Sequence, residues 1–180
     1  MEAVSMNKFL GVIFLVVYTL TGCEKEPFPH YDGPGKRPVY LPEAQLKDIK
    51  NLPPQPILLS GTIFVQDTFF YLLDVRKGIH VFSVADPADP VALTFWSIPA
   101  IGDFTISNNR LYVDSWKDLV TIDIVDKYQI REINRQTGAF EPLLFPPLYN
   151  GFFECVDESK GAVTGWEDAE LVDARCRTVN

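Results

Sequence analysis

Three cysteines, two histidines and a scatter of turn aspartates are the residues of this 180-residue chain whose types could do chemistry. Cys155 and Cys176 bracket a stretch that reads as a hairpin turning near Ser159–Gly161. In an oxidising compartment a bridge between them would close a loop of about 20 residues, worth roughly 3 kcal/mol on the loop-entropy model. The alternative is two unpaired cysteines in a poorly folded tail. His30 stands among prolines. His80 shares a strand face with Phe82 and Val84, where a packed, hydrogen-bonded imidazole is the expected role. No His/Cys spacing fits zinc. Asp74, Asp86, Asp89, Asp114, Asp118 and Asp126 lack the spacing of a calcium loop, and aspartates in turns usually bond their own backbone. Ser60 and Ser115 have no evident histidine partner, and neither a nucleophile elbow nor a phosphate loop occurs. No catalytic, metal or cofactor-binding residue is assigned, so the chain reads as a non-enzyme. Trp116, in the turn Ser115-Trp116-Lys117-Asp118, is the candidate ligand contact. An exposed indole on a rim can meet a glycan or a protein; a packed one covers the edge of a neighbouring unit.

The elements that must position these residues are strands. From Ile57 onward, short runs of Val, Ile, Phe, Tyr and Thr alternate with Gly, Asp, Asn and Pro, the all-β pattern. The runs repeat. Tyr71-Leu-Leu-Asp74 and Gly78 to Asp86 lie above Leu111-Tyr-Val-Asp114 and Asp118 to Asp126, a shift of about 40 residues that also aligns Phe64 with Phe104. The second unit reads as strands near 103–107, 110–115, 118–125 and 128–133. In the strand after the hairpin, His80/Val120, Phe82/Ile122 and Val84/Ile124 share one face, and Ile79/Leu119, Val81/Thr121 and Ser83/Asp123 the other. Both faces are largely apolar, as in a strand buried on both sides. Four strands in about 40 residues is the size of one β-propeller blade.

The N-terminus addresses the compartment. Lys8 precedes an uncharged apolar run, Phe9 to Leu20. As a helix that run rises only about 18 Å, too short to cross a hydrocarbon core of about 30 Å, so it reads as a signal-peptide core. Leu20-Thr21-Gly22-Cys23 resembles the lipobox of bacterial lipoproteins. The resemblance implies a signal peptide over 1–22, cleavage before Cys23, and lipid on its sulfur and new amino group. Several acyl chains at about 0.8 kcal/mol per buried CH₂ anchor durably, where one chain is marginal. Glu24-Lys25-Glu26 loosely resembles a surface-export signal, so periplasmic-facing and surface-facing orientations both stay open. Residues 23–56, eight of them proline between 27 and 56, read as a Pro-rich tether with a short helix near Glu43–Lys50. The net charge of −8, with no Lys/Arg cluster, argues against nucleic acid as a partner.

Val84-Ala85-Asp86-Pro87-Ala88-Asp89-Pro90, Asn108-Asn109-Arg110-Leu111-Tyr112-Val113 and Leu119-Val120-Thr121-Ile122-Asp123 resemble the LVIVD-repeat lipoproteins, propeller-like proteins of bacterial envelopes. The second unit departs from that pattern, with Asp126-Lys127-Tyr128 in place of the double Asp-Pro turn. The expected fold is therefore all-β: an incomplete β-propeller-like array of about two to three four-stranded antiparallel blades. Two repeats occupy 57–135, and a C-terminal hairpin or partial blade occupies 136–180. So few blades do not close a ring. The chain is then a shortened form of a longer product, or it meets a protein partner or a second copy through its open blade edges. The expected role is a binding or scaffold module, or else a glycan- or ligand-binding component of a surface uptake system.

Overall fold

Alternation of apolar and polar residues, broken by tight turns, produces thirteen strands among residues 30–179, the part of the chain that this computed structural model describes. Cys23 and residues 1–22, where a signal peptide is expected, lie outside the described residues. The strands are β1 (Tyr31–Leu41), β2 (Lys50–Leu52), β3 (Ser60–Gln66), β4 (Phe69–Asp74), β5 (Gly78–Ser83), β6 (Val91–Ser97), β7 (Ile101–Ser107), β8 (Arg110–Ser115), β9 (Asp118–Asp123), β10 (Arg131–Gln136), β11 (Gly151–Phe153), β12 (Ala162–Ala174) and β13 (Cys176–Thr178). They form three open sheets, ordered β2-β6-β5-β4-β3, β10-β9-β8-β7 and β12-β1-β11-β13. The fold is all-β, and no helix among the described residues is long and apolar enough to cross a membrane.

The first two sheets are copies, down to their irregularities. Every pair of the β5/β6 ladder that β9/β10 repeats, such as Val81↔Thr94 with Thr121↔Asn134, recurs 40 residues on, bulge included. The β3/β4 ladder recurs as β7/β8 with a shift of 41: Phe64↔Tyr71 becomes Thr105↔Tyr112, and the bulge is copied as well. The hairpin between the halves absorbs the difference. Asp74↔Gly78 closes over three residues, Val75 to Lys77, whereas Ser115↔Asp118 closes over only Trp116 and Lys117. This corrects the uniform 40-residue alignment. Asp74 corresponds to Ser115 rather than Asp114, and Phe64 to Thr105 rather than Phe104. The correction matters because a one-residue slip in a strand exchanges its two faces.

With the register right, the packing of the two sheets follows. Tyr71, Leu73, Ile79, Val81 and Trp96 share one face of the five-stranded sheet, here called the front. They form a single core with Phe104, Ile106, Leu111, Val113, Val120 and Ile122. These last six correspond to Ile63, Val65, Phe70, Leu72, His80 and Phe82, on the back face of the first sheet. The front of sheet one therefore covers the back of sheet two, a head-to-tail contact between unlike faces. Phe64 and Phe104 meet across it, ring centroids 6.4 Å apart. Burying side chains of this size contributes about 1.5–3 kcal/mol each, which makes the seam the main source of stability.

The turn that lacks prolines keeps its shape. Asp86 Oδ1 accepts the Ala88 N–H at 3.0 Å, and Asp126 Oδ1 accepts the Tyr128 N–H at 2.8 Å. Asp89 and Gln129 N–H then bond the Asp86 and Asp126 carbonyls. The aspartate forms the turn in both copies. The fourth strand of the second unit therefore starts at Arg131, three residues later than its residue pattern predicts.

Two expectations for the flanks are overturned. The supposed tether is largely sheet: β1 pairs with β12 over ten registered positions from Tyr31↔Ala174 to Leu41↔Ala162, and β2 adds a fifth strand to the first repeat. Prolines 34 and 38 are tolerated for a geometric reason. Lys36 offers its carbonyl to Glu154 on the β11 side, and positions two away point the same way. The missing N–H groups thus face short β11, leaving the β12 ladder intact. The short helix is one 3₁₀ turn, Glu43–Lys47, burying Leu46. The C-terminal segment is not a simple hairpin or a partial copy of the repeat either. β12 crosses to β1, while β11 pairs with β13. A disulfide joins Cys155, two residues past β11, to Cys176, which pairs with Phe153 in the β11/β13 ladder; the Cα atoms are 5.2 Å apart.

Candidate functional site

The tips of the β4/β5 and β8/β9 hairpins lie side by side. Both carry a residue in the left-handed region, Arg76 (φ 68°) and Trp116 (φ 59°). Ala100 stitches them together: its N–H donates to the Arg76 carbonyl at 3.2 Å, and its carbonyl accepts the Trp116 N–H at 3.2 Å. Gly78 follows the first tip with φ 155°, and a Cβ there would stand 2.0 Å from the Trp96 carbonyl oxygen. Asp118 occupies the corresponding position of the second sheet, and there the outermost ladder pair, Gly78↔Ser97, has no copy.

A cleft opens beside each tip. The first, of about 590 Å³, is lined by Glu43, Lys47, Trp116, Lys117, Asp118 and Arg135 among others. The second, of about 430 Å³, has apolar walls including Leu58, Leu143, Pro147, Val163 and Trp166, with Lys36, Arg76 and Lys77 among its linings. Lys36 is paired with Asp168 at 2.7 Å.

Trp116 is half-buried rather than displayed. Its ring packs against the small cluster of Leu46, Ala100 and Ala162, and the Lys117 ammonium sits 4.4 Å from its centroid. Lys117 is held by Glu158. The indole Nε1 is buried without a hydrogen-bond partner, the one such side-chain atom among the described residues. From this packed position the indole lines the first cleft.

Arg135 forms the charged floor of that cleft. Its guanidinium, with the side chain only 7% exposed, reaches Asp118 at 3.0 Å, Glu132 at 2.7 and 2.9 Å, and the Leu46 carbonyl at 3.3 Å. Burial works against its charge, but the bonds to Glu132 and Asp118 outweigh it and hold the group more basic than usual. Two distant segments, at Leu46 and Asp118, converge on it beside Glu132 of its own strand, which the linear order of residues does not announce.

Asp74 and His80 make a buried polar pair on the back of the first sheet, 3.2 Å apart and 1% and 3% exposed. Asp74 also accepts the N–H groups of Leu58 at 2.9 Å and Leu59 at 3.0 Å. Burial pushes its carboxyl up, yet the two N–H bonds and His80 prevail, and the net direction is below the ordinary value. His80 lies against the Phe95 ring at 4.6 Å. The carboxylate's contacts pin segment 58–59 to the sheet; the work is positional.

Elsewhere, aspartates of the turns cap backbone. Asp114 accepts the Gly102 and Asp103 N–H groups, both at 2.6 Å. Among the described residues no group of three or more His, Cys, Asp or Glu is placed to hold a metal ion. Compared with known proteins, the chain matches no family model, no curated protein and no solved structure.

Proposed function

We propose that the chain is a non-catalytic lipoprotein of the bacterial cell envelope, anchored by lipid on Cys23, whose β-propeller-like repeats act as a binding or scaffold module. The head-to-tail contact carries the reading. Two sheets with one register, stacked front to back, are the relationship that successive propeller blades require, and the resemblance to LVIVD repeats adds to it. A stack of two leaves one front and one back open for partners. Replacing Cys23 with Ser tests the anchor. The wild-type chain is expected in the membrane fraction and the variant in the soluble one, and membrane retention of the variant would sink the lipoprotein reading.

A second reading, a glycan- or ligand-binding component of a surface uptake system, is favoured by the paired clefts at the hairpin tips, each with an indole in its lining. Screening the full chain on a glycan array tests it. Binding lost on Trp166→Ala would favour this reading, and an empty array would leave the scaffold reading in place.

A further inference from the structure

We infer that the open back of the five-stranded sheet is a self-association surface, and that a second copy of this chain covers it in a closed, two-fold pair. The inference deepens the binding-module reading by naming its partner, and it rests on that reading. Ile63, Val65, Phe70 and Phe82 occupy this face. Their counterparts Phe104, Ile106, Leu111 and Ile122 are all buried in the seam. Yet Ile63 is 58% and Val65 60% exposed, and Phe70 and Phe82 are half-buried. Leu58 and Leu59, held at Asp74 by their N–H groups, extend the apolar surface. A contiguous surface of this kind marks an interaction site.

The seam inside the chain shows what covers such a back: an apolar front. The second sheet's own open front does not qualify. Its register puts Thr105, Asp114, Thr121 and Gln136 where the covering front has Phe64, Leu73, Val81 and Trp96. That front has the polar outer character of a terminal repeat, which ends a stack. Head-to-tail growth of copies would bury the Asp114 carboxylate against apolar side chains, at high cost. The remaining apolar complement in a second copy is the same back face, related by a two-fold axis, and such a contact closes on itself. On the back the register places one exposed charged side chain, Lys50 on the opposite edge strand β2, where it is paired with Asp48 at 2.6 Å. Asp74 and His80 are buried and paired, so the patch on β3, β4 and β5 meets its copy without like-charge contact.

The test is the mass of the detergent-solubilised full chain by sedimentation, with bound detergent subtracted. The wild-type chain is expected at twice its 20.4 kDa sequence mass, less any cleaved signal. Val65→Glu is expected to halve that mass with an unchanged near-ultraviolet circular dichroism spectrum, because an exposed site tolerates the change. Thr121→Glu, on the open front of sheet two, is expected to leave the pair intact. A wild-type monomer at every concentration, a Val65→Glu variant that still pairs, or a mass that climbs without limit and falls with Thr121→Glu would each overturn the inference. Fractionation of the Cys23→Ser variant reads the lipid anchor separately, so the two failures are distinguishable.

Discussion

Trp96 donates its indole N–H to the carbonyl of Lys127 at 2.8 Å, from the first repeat sheet to the turn of the second. The same carbonyl accepts Asn51 Nδ2 at 3.0 Å, and Asn51 Oδ1 accepts the Ile130 N–H at 2.9 Å. The turn that departs from the double Asp-Pro pattern is thus the one that sheet one grips. Lys127 completes the clasp, its ammonium lying 5.3 Å from the Phe69 ring centroid.

Removing Trp96 should therefore weaken the seam in two separable steps. Trp96→Ala deletes a fully buried ring and is expected to cost about 3–5 kcal/mol. Trp96→Phe keeps most of the packing and loses the hydrogen bond, for about 1–2 kcal/mol. Urea denaturation of both variants measures the difference. A Trp96→Phe variant as stable as the wild type would mean that the bond to Lys127 contributes nothing.

Asp74 makes stability depend on acid in a stated direction. Its carboxyl titrates below the ordinary 3.8 in the folded chain. The folded state thus holds the charged form more strongly than the unfolded chain does. That stabilisation is fully present above the unfolded value and is lost as the pH falls through the folded one. A melting-temperature profile should drop below about pH 4, and Asp74→Ala should flatten part of that drop. The variant also leaves the Leu58 and Leu59 N–H groups without their acceptor, for about 1–3 kcal/mol at neutral pH. An unchanged acid profile in Asp74→Ala would assign the drop to other groups.

The repeat was legible in the residues because its signals are local: turn aspartates, alternating faces, a hairpin every few residues. The shift of 41 in its first half was not. Asp74 and Asp114 align by type, and only the pairing of Ser115 with Asp118 shows that the second hairpin is one residue shorter. The tether was misread because β1 finds its partner more than 100 residues away, in β12, and proline content registers only local propensity. Of the candidate site, Trp116 was visible as an unusual turn residue. Arg135 was not, since Leu46 and Asp118 meet it only after folding.

The turn aspartates should matter more than the prolines that drew attention to the motif. Asp126→Ala is expected to cost about 0.5–1.5 kcal/mol through the lost bond to Tyr128, and Asp86→Ala a similar amount through Ala88. Pro87→Ala acts mainly on the unfolded chain, by about 0.4–1 kcal/mol. Thermal melts of the three variants rank them. A proline variant costing more than both aspartate variants would reverse the assignment.

Arg135 offers the sharpest test of the first cleft, because it stands where sheet one has Phe95. The position is apolar in one copy and charged in the other, yet both are buried. The guanidinium exists in the fold only because Asp118 and Glu132 neutralise it. Arg135→Met preserves the bulk but strands two partly buried carboxylates, which is expected to cost about 3–5 kcal/mol. Adding Glu132→Gln should recover part of that loss, since one of the stranded charges is removed. A double-mutant cycle in urea measures the coupling. Additive costs would show that Arg135 and Glu132 contribute independently, and the cleft floor would then be packing rather than an ion-pair network.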